Sequence, residues 1–520
     1  MTRTFYPNPI LSGMHPDPTI CRVGDYYYLA TSSFGQFPGA PLYRSRDLRD
    51  WEFVRHILSR PEQLDFVAEQ RLGTAGIFAP TLRYYSGKFY LITTLIGNRG
   101  HFIVTTKDPA SEWSDPIWID ADHQGGIDPS ITFLDDGTVL CQVTADARHN
   151  EPHGIVQFEI DLESGKGLSP RTFLSPGFGW KATEGPHLFR RGDFWYLLTA
   201  EGGTEANHRI AIGRSSSPWG PWEACPHNPI LTHAGIESPI QNTGHGDFVE
   251  GENGQWWMVF LGVRPVGYPP VHLFGRETFL APVTWSADGW PIINQGKPVE
   301  LSDNGLHYDL NWTDRFDSKD GFLHHRWVTI GRAYRSVYDQ GSTIGLKLIA
   351  QSANLSSPAI KSWVGTRLNS LGVIYECEVA LKDAEVEVGI SVFMESYGYF
   401  SLGVIAAKEA SRIGVRFTQQ VLDLHSMKER EIAVQESYRL RMELTNGPEG
   451  WKGDPSSFIF SVMEDSGEWA VVGRGQCRLL STELIGGFGG LFTGPYCVGK
   501  EGAVGRILSF SKLRSRPELL

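Results

Sequence analysis

Five copies of one short pattern run through the first half of this 520-residue chain. They begin at Asp17, Ala79, Asp128, Glu184 and His245, about 50 to 60 residues apart. Each copy leads into a short apolar run, a turn that contains glycine, and a second run rich in aromatic and aliphatic residues. Such turns supply the positive φ angles of tight hairpins, and the flanking runs have strand composition. Repeats of this length predict a five-bladed β-propeller with four-stranded blades.

The repeats end near residue 296, and the pattern changes after about residue 305. Short strands of alternating character follow, and with their turn signals they predict a β-sandwich, jelly-roll or concanavalin-like in type. The candidate strands are 375–381, 386–392, 401–405, 413–417, 439–444 and 458–462. We therefore expect an all-β protein with a propeller domain over 1–305 and a sandwich domain over 306–520. No low-complexity linker separates the two, so we expect them to pack tightly.

Composition narrows the classes of partner. The formal net charge is −12, which argues against a nucleic-acid partner and fits a neutral ligand. No apolar stretch is long enough to span a bilayer, so no membrane partner is expected. The six cysteines form no Cys-x-x-Cys motif, which favours buried free thiols in a reducing compartment.

The first residues lack the apolar region of a signal peptide, so a cytoplasmic location is expected, with secretion open if a leader was removed. Homo-oligomerisation stays open.

Acidic residues begin three of the five copies. A single Asp before Pro usually bonds local backbone in a turn. However, equivalent positions of successive blades converge on the propeller axis, so Asp17, Asp128 and Glu184 would gather in one pocket. Grouping like charges is costly and shifts pKa values, which is typical of functional sites. Glycosyl transfer needs two such groups, one protonated and one ionised.

Four further residues are candidates for the same pocket. Phe34 and Phe78 lie beside the first two copies, where core packing is the ordinary role and stacking on a sugar ring the functional one. His245 could bind a metal, orient substrate or satisfy buried carbonyls; the last is the commonest role for a lone histidine. Arg276 could bond sugar hydroxyls or pair with an axial acid, and a surface ion pair is the simpler alternative.

Other short motifs carry no chemistry. The segment 149–153 has two histidines at zinc-like spacing, but Pro152 would break the helix that such ligands need. The glycine-rich run 486–490 lacks a following Lys-Ser/Thr and is interpreted as a turn or bulge rather than a phosphate cradle. No Gly-x-Ser-x-Gly elbow occurs.

Taken together, the motifs resemble those of glycoside hydrolase family 43, particularly its β-xylosidase and α-L-arabinofuranosidase members. The resemblance covers essentially the whole chain. It rests on residues 12–18, 31–39, 77–80, 127–130, 183–187, 244–247 and 275–278.

The family implies inverting hydrolysis by single displacement. Asp17 then resembles the general base, Glu184 the general acid, and Asp128 the third carboxylate that tunes and orients the acid. The base and the acid of such a pair are expected to lie about 6.5–9.5 Å apart.

The resemblance also implies the surroundings of the pocket. In relatives a loop of the sandwich domain closes one side, and residues 492–496 resemble that loop, with Tyr496 as its ring. Ala79 would leave room for substrate beside Phe78, where many relatives carry Trp, so the sugar preference stays open. Some relatives hold a calcium ion on the axis near the counterpart of His245. No cofactor is expected to be required, and a structural calcium ion stays open.

The expected activity is exo-hydrolysis of small oligosaccharides. The enzyme would release terminal β-D-xylose, and also α-L-arabinofuranose, from xylo-oligosaccharides or arabinoxylan fragments. A dedicated α-L-arabinofuranosidase is the alternative within the class. Outside it, the alternatives are a sugar-binding propeller without catalysis and a protein–protein scaffold, which would have no axial pocket.

Overall fold

The described residues up to 302 form five antiparallel sheets, one for each copy of the repeat. The structure, a computed structural model, describes residues 6–64, 74–97, 99–145, 151–302, 311–318, 323–331, 336–339, 345–358, 361–381, 383–406, 412–445 and 456–514. In chain order, the strands up to residue 302 are β1 (Thr19–Val23), β2 (Tyr26–Ala30), β3 (Gln36–Phe37), β4 (Gly39–Ser45), β5 (Glu52–Leu58), β6 (Gly76–Ile77), β7 (Thr81–Tyr85), β8 (Lys88–Ile96), β9 (Gly100–Thr106), β10 (Ile117–Trp118), β11 (Ile127–Phe133), β12 (Val139–Thr144), β13 (Ile155–Asp161), β14 (Lys166–Gly167), β15 (Thr172–Ser175), β16 (Glu184–Arg191), β17 (Phe194–Glu201), β18 (Arg209–Ser215), β19 (Glu223–Ala224), β20 (Leu231–Thr232), β21 (Gln241–Glu250), β22 (Trp256–Val263), β23 (Glu277–Trp285) and β24 (Pro291–Ile293).

The sheets are the blades of a propeller. Their innermost strands are β1, β7, β11, β16 and β21, and each of these contacts the next around a ring. An apolar core lies between every pair of neighbouring blades, and one of these cores joins blade 5 to blade 1. In that closing core, Ile20 and Leu29 of blade 1 pack with Val259 and Leu280 of blade 5. The predicted five-bladed propeller is confirmed.

The N-terminal segment, residues 8–11, joins the start of the propeller to blade 5. Leu11 pairs with Thr278 of β23, and the side chain of Asn8 bonds both backbone groups of Leu280, at 2.8 Å each. Asn228 bonds the backbone of Ile212 in β18 in the same way. In both copies of the sequence Asn-Pro-Ile-Leu, at 8–11 and 228–231, the asparagine side chain therefore holds the segment to the backbone of a blade strand.

The rest of the described chain forms a two-sheet sandwich. Its elements are β25 (Trp312–Asp314), β26 (Thr329–Ile330), β27 (Tyr338–Asp339), β28 (Leu346–Ile349), β29 (Thr366–Arg367), β30 (Val373–Leu381), β31 (Val386–Glu395), β32 (Gly398–Ala406), β33 (Arg412–Val421), β34 (Leu424–Ala433), β35 (Tyr438–Leu444), β36 (Ser457–Met463), β37 (Trp469–Gln476), the short helix α1 (Thr482–Ile485), β38 (Phe492–Gly499) and β39 (Val504–Arg514). One sheet has the order β27-β28-β39-β30-β35-β36-β37, with β25 also on β39, and the other β29-β38-β31-β32-β33-β34. A large apolar core fills the space between them, so the predicted sandwich is confirmed.

The two units pack directly against each other. Met14 and Phe34 of the propeller share an apolar cluster with Trp363 and Phe492 of the sandwich. Strand β3 pairs with β26 across this junction. Arg367 donates to the backbone oxygen of Met14 at 2.8 Å and to the Gln36 amide at 2.7 Å. The predicted boundary between residues 305 and 306 lies outside the described residues and stays a prediction.

All six cysteines are buried and unpaired, as the sequence predicted. Within the described parts of the chain, no helix is long and apolar enough to cross a membrane.

Candidate active site

The residues that lead the repeats take a strained backbone conformation where the inner strands begin. Asp17, Asp128 and His245 have φ angles of 53°, 55° and 45°, and in the fourth copy Gly185, next to Glu184, has φ 56°. Strand register shifts at the same point in blades 3, 4 and 5, which marks bulges. A bulge re-aims a side chain, and strain of this kind clusters at functional sites. The repeat therefore turns its lead residues toward the propeller axis.

The three acids that lead repeats meet there in one pocket of about 210 Å³, which a fourth acid, Glu205, also lines. The residues that line it are Asp17, Phe34, Phe78, Ile127, Asp128, Glu184, Gly203, Thr204, Glu205, His208, His245, Arg276 and Phe488. Larger hollows among the described residues, of about 340, 460 and 510 Å³, contain none of the residues that lead the repeats. Convergence of titratable groups, rather than size, therefore identifies the functional pocket.

Asp17 is held in its ionised form. The Ser32 hydroxyl donates to its Oδ2 atom at 2.5 Å, and Nη1 of Arg276 donates to its Oδ1 atom at 3.1 Å. Nδ1 of His245 lies 3.9 Å from the same Oδ1. Burial by itself would raise the pKa of Asp17, but Arg276, His245 and the Ser32 hydrogen bond together lower it below the usual value. Asp17 is thus a carboxylate ready to accept a proton.

The pKa values of Glu184 and Asp128 are shifted in the opposite direction, above their usual values. Burial and the charge of Asp17 raise the pKa of Glu184 to about 7. Burial, with Glu184 and Asp17 nearby, raises the pKa of Asp128 well above its usual value, although the Gly185 amide donates to Asp128 at 3.2 Å. One ionised and one protonated carboxyl group in a single pocket is the pairing that acid–base chemistry needs.

An arginine between two aromatic rings forms one wall. The Cζ atom of Arg276 lies 5.4 Å from the ring centroid of Phe34 and 5.4 Å from that of Phe488, within cation–π range. Arg276 also donates to the Thr204 hydroxyl at 3.3 Å. Phe78 packs edge-on against Phe34, with ring centroids 5.0 Å apart. Phe34, Phe78, Arg276 and His245 therefore all lie where the sequence placed them.

Two predicted lining residues are elsewhere. Tyr496 is buried in the apolar cluster between the two units, which also contains Phe34, and its hydroxyl donates to Oε1 of Glu387 at 2.5 Å. It is not among the residues that line the pocket, so the ring that closes the sandwich side is a different one. Ala79 is 3 % exposed and lies behind Phe78 in sequence rather than on the pocket wall. Phe78, the residue before it, lines the cavity, and the role of Ala79 in leaving room for substrate stays a prediction.

The ring that does close the pocket comes from the glycine-rich run. Phe488 lies between Gly486–Gly487 and Gly489–Gly490, a run interpreted from sequence as a turn or bulge. A Cβ atom on Gly490 would lie 2.7 Å from the backbone of Phe274 and Gly275, so glycine permits this loop to touch the propeller. The sequence shows the glycine-rich run but not that it contacts Gly275 of the propeller, so Phe488 was not predicted as a pocket residue.

Blade 4 supplies the other missed residues. Thr204 and Glu205 lie in the loop between β17 and β18, and His208 lies at its end. The His208 ring packs against the backbone of Gly244, where a Cβ atom would lie 2.2 Å from it. No sequence motif distinguishes these residues.

A calcium ion does not fit the axis beside His245. Calcium requires about six to eight oxygen ligands. Of the carboxylates there, Asp17 is paired with Arg276, and Asp247, two residues after His245, has both oxygens bonded to the guanidinium of Arg83, at 2.8 and 3.2 Å. Among the residues that the structure describes, no cluster of His, Cys, Asp or Glu could hold a metal ion. No catalytic step is therefore assigned to a metal.

A pocket that brings carboxyl groups of opposed protonation together at the axis of a propeller defines a glycoside hydrolase. Comparison with known proteins agrees. Residues 6–291 match glycosyl hydrolases family 43, and residues 313–513 match the β-xylosidase C-terminal concanavalin A-like domain. The chain belongs to glycosyl hydrolase family 43.

Individual relatives match over most of their length. A non-reducing end α-L-arabinofuranosidase of Bacteroides ovatus is 35% identical over 515 residues, covering 96% of this chain and 92% of that protein. A xylosidase/arabinosidase of Butyrivibrio fibrisolvens is 36% identical over 426 residues, 77% of this chain and 80% of that protein. The crystal structure of a xylan β-1,4-xylosidase from Bacillus halodurans superimposes with a TM-score of 0.87 at 29% identity, over 98% of this chain and 100% of that one.

Proposed function

We propose that this enzyme is an inverting exo-glycosidase that removes terminal β-D-xylose, and also α-L-arabinofuranose, from xylo-oligosaccharides or arabinoxylan fragments. The size of the pocket is the observation that carries the exo-action. Its volume of about 210 Å³ is below the roughly 300–1,000 Å³ of sites that enclose drug-sized ligands, so it suits one sugar unit. Relatives named as xylosidases and arabinofuranosidases support the choice of sugar.

In the proposed mechanism, Glu184 donates its proton to the glycosidic oxygen as the bond to the anomeric carbon breaks. Asp17 removes a proton from water, and the oxygen of that water bonds to the anomeric carbon from the opposite face. The leaving sugar thus departs as an alcohol, and the released sugar has inverted configuration. Asp128 accepts from the Gly185 amide, the backbone group next to Glu184, and so orients the strand segment that carries the acid.

Product stereochemistry tests the proposal directly. We expect an aryl β-D-xyloside to release α-xylose first, and an aryl α-L-arabinofuranoside to release β-arabinose first, each followed by NMR before mutarotation. Hydrolysis of only the arabinofuranoside would identify a dedicated arabinofuranosidase. Retained configuration would rule out the single displacement, and turnover of neither glycoside would rule out the proposed function.

The Phe488 ring should contribute mainly to substrate binding. Phe488→Ala opens the sandwich side of the pocket and removes a cation–π contact with Arg276, which is worth about 0.5–2 kcal/mol. We expect KM for the aryl xyloside to rise about tenfold with a smaller change in kcat, equivalent to roughly 1.4 kcal/mol. Leu484→Ala, at an exposed position on α1 before the same loop, is the matched control. An unchanged KM would show that the ring does not contact the sugar.

A further inference from the structure

A guanidinium group fills the propeller axis beneath the catalytic pocket. Arg83, on the inner strand of blade 2, binds both carboxylate oxygens of Asp247. Its Nη1 atom also lies 2.9 Å from the backbone oxygen of Leu82 and 3.3 Å from the Thr19 hydroxyl. Its Nη2 atom lies 3.1 Å from Nδ1 of His187. The side chain thus connects groups from four of the five blades.

Each of these partners follows a pocket residue on its own inner strand. Thr19 comes two residues after Asp17, His187 three residues after Glu184, and Asp247 two residues after His245. The Arg83 cluster is therefore the layer directly below the base, the acid and the axial histidine. Only two or three positions along each strand separate the Arg83 cluster from the pocket residues. A displacement of the cluster would therefore also displace the reacting groups.

The carboxylate of Asp247 has no capacity left for a metal ion. Besides the two Arg83 bonds, its Oδ2 atom accepts from the Thr19 hydroxyl at 2.8 Å and from the Ile20 amide at 3.1 Å. Its Oδ1 atom accepts from its neighbour's amide, Phe248, at 3.0 Å. A carboxylate offers about four acceptor positions, so this group is saturated. A divalent cation here would also be repelled by the fixed charge of Arg83.

We propose that Arg83 is a positioning residue that acts as a built-in cation on the axis, in the place where a metal ion would otherwise join the blades. It holds the inner strands of blades 1, 4 and 5 together, so that Asp17 and Glu184 keep their distance from each other. The part of this proposal that concerns catalysis rests on the proposed function; the part that concerns cation binding does not.

Calcium binding tests the proposal without any substrate. We expect calorimetric titration of the wild-type enzyme with calcium chloride to give no saturable heat. Its melting temperature should be the same in calcium and in EDTA. A saturable calcium site whose occupancy raises the melting temperature would overturn the proposal.

Chemical rescue tests the positioning role. Arg83→Ala leaves Asp247 without its partner, and the misplacement of reacting groups that follows should lower kcat about 10²-fold, with KM changed far less. Guanidinium ion at millimolar concentration should restore part of kcat and raise the melting temperature of this variant, whereas methylammonium should not. Arg171→Ala, which removes a buried arginine–glutamate pair with Glu151 in blade 3, should lose stability but respond to neither ion.

Two outcomes would overturn the positioning role. One is wild-type kcat in Arg83→Ala, and the other is loss of kcat with equal response to both ions. Arg83→Lys, which keeps the charge but not the two-pronged geometry, decides the case if the alanine variant does not fold: an intermediate kcat supports the role, and an unchanged kcat contradicts it. If wild type hydrolyses neither glycoside, the proposed function fails, while guanidinium-dependent melting still reports on the cation site.

Discussion

Replacing Asp17 by asparagine is expected to lower kcat by about 10²- to 10⁴-fold, the range that a general base contributes. The amide keeps the shape of the side chain and can still accept from Ser32, but it cannot take a proton from water. KM should change much less, since the pocket remains closed. Steady-state kinetics on an aryl xyloside, with circular dichroism to confirm folding, would measure the effect.

A second consequence distinguishes a base from a residue that only binds sugar. The charge of Asp17 helps to raise the pKa of Glu184, so its removal should move the alkaline limb of the residual activity to lower pH. Asp47→Asn is the matched control, because Asp47 bonds only local groups in an exposed turn. Full activity in Asp17→Asn, or an unmoved alkaline limb, would contradict the assignment.

Blade number and blade position could be predicted because turn chemistry repeats with the strands. The sandwich was predicted less completely, and β34 (Leu424–Ala433) shows why. Eight of its ten residues are exposed, so it carries no apolar alternation. It is a strand because every residue pairs with β33, and an edge strand of this kind gains its order from the neighbour rather than from its own sequence.

The difference between local sequence pattern and tertiary contact also explains which site residues could be predicted. Asp17, Asp128, Glu184 and His245 were predictable because register within a repeat dictates where a side chain points. Phe488 was not, since its place in the pocket depends on how the sandwich docks against Gly275. Tyr496 was chosen for its ring and its nearby motif, and the pairing of β38 with β31 instead directs it to Glu387. Contacts between domains have no local sequence signal.

The pH profile of kcat/KM should be a bell with its alkaline limb near neutrality. Glu184 must be protonated to act as the acid, and burial raises its pKa to about 7, so activity should fall as pH rises through that value. Asp17 must be ionised, and its lowered pKa places the acidic limb below the usual range of an aspartate. Glu205→Gln removes a nearby charge that raises the pKa of Glu184, and should therefore shift the alkaline limb to lower pH.

The loss of kcat/KM in Glu184→Gln should be largest for substrates whose leaving group must be protonated. For xylobiose, whose leaving group is a sugar alcohol, we expect kcat/KM to fall about 10²- to 10⁴-fold. For a dinitrophenyl xyloside the loss should be far smaller, because that phenolate leaves without protonation, and the alkaline limb should disappear. Glu205→Gln should lose similar activity on both substrates. An equal loss on the two substrates in Glu184→Gln would mean that Glu184 binds or positions the sugar, and the acid would then have to be sought in Asp128, whose pKa is also raised.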